Sequence, residues 1–157
     1  MSIDESHEKD LYWMTKAYEL ALNAADNGEV PVGAILVDDD NHCIGKGWNQ
    51  PISGHDPTAH AEIIALRDAA SRLQNYRLPE TTLYVTLEPC TMCGGAIIHA
   101  RIKRLVYATA DPRTGSAGSV YNLMNSPHLN HRVSVSTGVL QHQCSSLLKT
   151  FFLEKRN

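Results

Sequence analysis

No segment of the 157-residue chain approaches the roughly 18 consecutive apolar residues that span a bilayer. The N-terminal MSIDESHEKD is polar and acidic, without the basic start and apolar run of a secretory signal, so the expectation is a soluble, cytoplasmic protein. A basic excess is also missing. Fourteen Lys and Arg stand against seventeen Asp and Glu, a net charge of −3, so there is no general electrostatic reason to bind nucleic acid and any such contact must be local. Cysteine is sparse. Cys43, Cys90, Cys93 and Cys144, in a chain without a secretory signal, argue against a disulfide framework and leave metal binding or free thiols. Internal repeats and low-complexity tracts are absent, and the length suits one domain over residues 1–157.

What is present alternates between helix and strand patterns. Leu11, Met14, Tyr18, Ala21, Leu22 and Ala25 recur at helical spacing over 8–27, and Gly28 follows as a stop. VPVGAILV (30–37) and HCIGKGWN (42–49) flank the turn DDDN and predict a β-hairpin. A helix is predicted over 57–73, with Asp56 as N-cap and Pro57 at its first position. TTLYVTL (81–87) predicts a strand, and Pro89 then opens another helix. RLVYAT (104–109) and VSVST (133–137) predict two further strands, separated by the glycine-rich ADPRTGSAGS (110–119). A helix over 141–155 closes the chain. This order implies a three-layer α/β/α sandwich around a mixed five-stranded sheet, largely parallel behind an antiparallel hairpin.

His60 and Glu62 in DPTAHAEIIAL lie roughly 200° apart around a helix axis, so they should not meet in mid-helix. At a helix start the geometry is freer. If Pro57 and Pro89 both open helices, His60, Cys90 and Cys93 occupy two helix starts that can face one metal ion. Three protein ligands plus an open position is the catalytic zinc pattern, and helix N-termini favour the thiolate form of the cysteines. Glu62, pointing away from His60, is then free to act on water. A redox Cys-x-x-Cys, or a structural zinc closed by a fourth ligand such as Cys43 or Cys144, are the alternatives for the same residues.

HAE followed by PCTMC resembles the signature of the zinc-dependent nucleobase deaminases. EVPVGAILV, GWNQPI, HDPTAHAEI, NYRL, TLYVTLEPCTMC, ADPRTGSAGS and NHRV narrow the resemblance to the tRNA adenosine deaminase branch, over about residues 10–153. The resemblance implies a cytidine deaminase-like fold and one Zn2+ per chain on His60, Cys90 and Cys93, with Glu62 as proton shuttle. It implies hydrolysis of adenosine to inosine at the wobble position of a tRNA anticodon loop, by a homodimer. The family's substrate pocket falls on Val30, Asn49, Ala61 and Leu87. Asn49 can read an edge of a flipped-out purine, and Val30 and Leu87 can wall its ring. Asp111 is expected to accept a bond from a ribose 2′-hydroxyl, and Phe152 is a further substrate contact. His55, Arg101, Arg104 and Arg132 are candidate phosphate contacts. A zinc deaminase of a free base or nucleotide, guanine or cytidine type, is the nearest rival, and a zinc-stabilised RNA-binding module without catalysis is a second.

Overall fold

The computed structural model describes residues 2–156. Helix α1 (Ile3–Asp26) leads into the hairpin of β1 (Gly33–Val37) and β2 (Cys43–Trp48). Then come α2 (Ala61–Leu73), β3 (Thr82–Leu87), α3 (Thr91–His99), β4 (Arg104–Thr109), β5 (Ser134–Thr137) and α4 (Gln141–Arg156). The sheet order is β2-β1-β3-β4-β5, with β1 antiparallel to both β2 and β3, and β3, β4 and β5 mutually parallel. The expected mixed sheet is therefore present. Among the described residues no helix is long and apolar enough to cross a membrane.

Strand periodicity creates the three layers. Ala34, Leu36, Leu83, Val85, Leu105 and Tyr107 point into one core with Ala61, Ala65, Ala69 and Ile97 of α2 and α3. Ile35, Val37, Tyr84, Val106 and Ala108 point the other way, against Trp13, Met14, Ala17 and Leu20 of α1 and Cys144 of α4. Neighbouring residues on one strand thus serve opposite cores. On β2 the positions that face α2 are Gly45 and Gly47. A Cβ on Gly47 would lie 2.7 Å from Ala61 O, and one on Gly45 would strike Ala65 O, so the helix rests directly on the strand backbone.

Several element starts differ from expectation, each for a local reason. Ser2 accepts a hydrogen bond from Glu5 N at 3.1 Å, and this cap extends α1 back over Ile3 and the polar residues 4–7. Strand β1 begins at Gly33 because Val32 N donates to Val30 O, a tight turn around Pro31. Helix α2 begins at Ala61, not at Pro57. Asp56 instead folds a turn of its own, accepting from Thr58 N at 2.8 Å and the Thr58 hydroxyl at 2.7 Å. Helix α3 begins at Thr91, two residues past Pro89.

One connection is unusual. Parallel strands are commonly joined through a helix, yet residues 110–133 pass from β4 to β5 with only an isolated bridge between Ala117 and Asn122. Strand β5 at the sheet edge is largely exposed.

Candidate active site

The parallel strands β3 and β4 end side by side, with Leu87 opposite Thr109. The chain leaves β3 through Glu88, Pro89 and Cys90 into α3. Cys90 is the N-cap of α3, and His60 is the N-cap of α2. Both residues have extended backbone conformations, and neither side chain caps its helix. The imidazole and the thiol are thereby free to turn toward each other. Cys90 Sγ and Cys93 Sγ lie 3.6 and 3.5 Å from His60 Nδ1, and the three donor atoms fall within 4.8 Å of one another.

Glu62, one residue inside α2, is buried at 4% exposure beside this cluster. The i, i+2 spacing is resolved because His60 stands outside the helix and Glu62 within it. Burial, opposed in part by the bond from its own backbone N–H, pushes the Glu62 carboxyl up to about 7. The Cys90 thiol is drawn down to about 4, first by the bond from Cys93 and then, against burial, by His60. Cys93 moves up because it donates that bond and is buried, and the bond to Cys90 raises His60. Two sulfurs and an imidazole nitrogen converging in this way form a soft, anionic donor set that suits a zinc ion.

Asn49 is buried and its Oδ1 accepts from Ala61 N at 2.8 Å. It therefore supplies the cap that His60 does not, and its amide NH2 remains available as a donor. Ala61 is fully buried at the head of α2, while Val30 and Leu87 are half-buried against the same core. Phe152 lies on α4, is 46% exposed and packs edge-on against Phe151 at 5.6 Å. The Asp111 carboxylate is engaged in a turn. Oδ1 accepts from Arg113 N and Thr114 N, and Oδ2 from the Thr114 hydroxyl at 2.8 Å.

The basic candidates divide. His55 is exposed in the loop that leads to His60, with a left-handed backbone at φ 48°. Arg104 is engaged within the fold. Its guanidinium grips Asp10 through two bonds of 2.8 and 2.7 Å at the start of β4, the strand end away from the site. Tyr84 adds a third bond to Asp10 at 2.8 Å. Arg101 is turned to Ile98 O and Asn130 Oδ1, and the exposed Arg132 just precedes β5.

Besides Asp10, sequence reasoning missed two buried carboxylates that brace loops of the site. Glu29 accepts from Ile52 N and Ser53 N at 3.1 and 2.7 Å, holding the loop between Asn49 and His60. Burial opposes ionisation of Glu29, but those bonds outweigh it and keep its carboxyl below the usual value. Glu88 holds the loop after β4, accepting from Asp111 N, Ala117 N and Ser119 N. Their adjacency to Val30 and to PCTMC was the available signal.

The sequence profile of the cytidine and deoxycytidylate deaminase zinc-binding region matches residues 7–109. The chain belongs to that family. This deaminase is 55% identical over 149 residues to a tRNA-specific adenosine deaminase of Haemophilus influenzae, covering 95% of this chain and 86% of the relative. It is 46% identical to a tRNA-specific adenosine deaminase of Buchnera aphidicola subsp. Schizaphis graminum, covering 94% and 97%. Among solved structures, one from a study of tRNA:A34 deaminases superposes with a TM-score of 0.84 at 40% identity, covering 87% of this chain and 99% of that one. A guanine deaminase from Nitrosomonas europaea superposes with a TM-score of 0.79 at 26% identity, covering 90% and 83%. As a family member with His60, Cys90 and Cys93 brought together, the chain is a zinc-dependent hydrolytic deaminase.

Proposed function

We propose that this deaminase converts adenosine to inosine at the wobble position of a tRNA anticodon loop, adding water at C6 of the adenine and releasing ammonia. The observation that carries the chemistry is the buried Glu62 carboxyl beside the converging His60, Cys90 and Cys93 donors. The similarity to tRNA-specific adenosine deaminases along 95% of the chain supports the choice of substrate. Zinc held by His60, Cys90 and Cys93 would supply a Lewis acid able to bring the pKa of water from 15.7 to about 7.

Glu62 takes a proton from the attacking water and delivers it to N1 of the ring, then takes the second proton from the new C6 hydroxyl and passes it to the amino group, which leaves as ammonia while C6 becomes the carbonyl of inosine. A carboxyl raised to about 7 suits both duties near neutral pH. The Asn49 amide NH2 donates to an acceptor on the edge of the unstacked base. Val30 and Leu87 flank the ring. Asp111 keeps a second acceptor site on Oδ2 for a ribose 2′-hydroxyl, the group that marks RNA. Phe152 on α4 and the exposed His55 are proposed contacts to neighbouring nucleotides. Arg101 and Arg132 are left for phosphates outside the loop.

Met92, Gly95 and Ala96 of α3 are only half-buried in a single chain. A second copy packed there completes their burial, and sedimentation equilibrium should give about twice the 17.3 kDa chain mass.

The deciding experiment incubates zinc-loaded protein with an anticodon stem-loop and analyses the nucleosides by mass spectrometry. Inosine from the stem-loop, with free adenosine and guanine unchanged, is the expected result. Conversion of a free base instead would favour the small-molecule reading. Glu62→Ala should keep its zinc and form no inosine, and loss of the metal from that variant would make Glu62 a ligand.

A further inference from the structure

Glu88 takes no part in the chemistry above, yet it lies two positions before a zinc ligand and is only 2% exposed. Its oxygens gather donors from one stretch of chain. Oε1 accepts from Asp111 N at 3.0 Å and from the Ser119 hydroxyl, while Oε2 accepts from Ala117 N at 2.9 Å and Ser119 N at 3.1 Å. Among the described residues no ion pair involves Glu88. A buried carboxylate without a cation is costly unless its lone pairs are filled, and here four donors fill them.

The surrounding residues are shaped to this arrangement. A Cβ on Gly115 would collide with the Glu88 carboxylate, so only glycine lets the loop wrap so closely. Ser116, fully buried, fastens the middle of the loop to the metal turn. Its N–H donates to Pro89 O at 2.8 Å, and its hydroxyl lies 2.9 Å from both Pro89 O and Cys90 O. Residues 111–119 are thus folded around 88–90.

Plain reinforcement of a long loop would not need such an arrangement. The second half of the same passage is anchored by the fully buried Met124. Apolar burial fixes position loosely, whereas several bonds to one rigid carboxylate fix the orientation of the peptide groups. The loop so oriented borders the turn that carries Cys90, with Arg113 exposed upon it.

We infer that Glu88 is a positioning residue, which presents the loop 111–119 to the RNA strand flanking the reacting base and acts on binding of the polynucleotide rather than on the chemical step. The inference rests on the reading of the site as an RNA deaminase.

Glu88→Gln tests it in the zinc-loaded full chain. The amide has the same shape, but its NH2 must face Asp111 N in one orientation and Ala117 N and Ser119 N in the other, so at least one backbone bond is lost. Hydrogen exchange at residues 111, 117 and 119 should accelerate, with zinc still at one per chain. On an anticodon stem-loop, KM should rise about tenfold with kcat within about twofold, as for one lost bond to a charged group used in binding alone. Glu29→Gln, the control, should speed exchange at residues 52 and 53 and leave 111–119 as they are. The inference is overturned by loss of zinc, by a fall in kcat at unchanged KM, or by faster loop exchange with neither constant altered. Should Glu88→Gln not fold, Ser119→Ala removes one donor only and should raise KM a few-fold in the same comparison. A wild type that leaves the stem-loop unmodified overturns the RNA reading and this inference with it, while the exchange data would still report whether Glu88 holds the loop.

Discussion

Adding one methyl group to β2 should separate the stability of this fold from the placement of its zinc ligand. In Gly47→Ala the new Cβ would stand 2.7 Å from both Ala61 O and Ile64 Cβ, where ordinary contact begins near 3.4 Å. The head of α2 must therefore retreat by roughly 0.7 Å, and overpacking of this kind costs about 1–3 kcal/mol. For a chain of this size that lowers the unfolding temperature by roughly 2–12 °C. Ala61 directly follows His60, and its N–H is the group that Asn49 holds. Since a misplacement of about 1 Å can cost roughly 100-fold in rate, turnover per bound zinc should fall by about tenfold or more. Gly45→Ala is the matched control. Its Cβ would meet Ala65 O and approach Ala69 Cβ to 2.9 Å, one and two turns further along α2. Calorimetry on the zinc-loaded proteins should show Gly45→Ala at least as destabilised, while inosine formation per zinc stays within about threefold of wild type. Equal inactivation by both substitutions would refute the idea that β2 sets the position of His60.

Cys90→Ala and Cys93→Ala should each lose zinc and deaminase activity together, measured by elemental analysis and inosine yield; full zinc occupancy in either would refute its assignment as a ligand. Asn49→Asp keeps the acceptor for Ala61 N but removes the NH2 donors, so zinc should be retained while KM for the stem-loop rises by about tenfold. Unchanged KM would reduce Asn49 to a helix cap. Burial raises the Asp10 carboxyl, but the bonds from Arg104 and Tyr84 outweigh it and hold the group below its ordinary value. Its contribution is therefore present above the unfolded value of about 3.9 and is lost as pH falls through the lower folded value. Asp10→Asn should cost about 1.5–3 kcal/mol at neutral pH and flatten the loss of stability in acid, as read by urea unfolding between pH 6 and pH 2.

The order of elements and both cores were legible because alternation along β1, β3 and β4 sorts residues such as Leu83 and Tyr84 onto opposite faces. His60, Cys90 and Cys93 were legible through residue type and spacing. The starts of α2 and α3 were not. A proline at 57 or 89 suits a first helical position, but Thr58 gave Asp56 a competing local partner, and Ser116 bonds to Pro89 O and to the extended Cys90 from far along the chain. Arg104 read as a free cation because its partner is Asp10, on α1. Glu29 and Glu88 escaped for a related reason. The groups they hold are backbone N–H donors, which every residue except proline carries, so no residue type marks them in advance.

The helix-free passage from β4 to β5 also divides the molecule by cooperativity. Strands β1 to β4 and the helices beside them are tied through two apolar cores, whereas residues 110–137 attach through one exposed edge strand, a small set of polar anchors and a few apolar side chains, Ala117, Leu123, Met124 and Val133, on one of those cores. Such a segment opens at a lower free energy than the body it rests on, as a unit. Amide exchange and proteolytic nicking should therefore begin there while His60 and Cys93, fixed to α2 and α3, stay in place. Opening of this kind would release Ser116 from the turn that carries Cys90 while leaving His60 and Cys93 on their own helices.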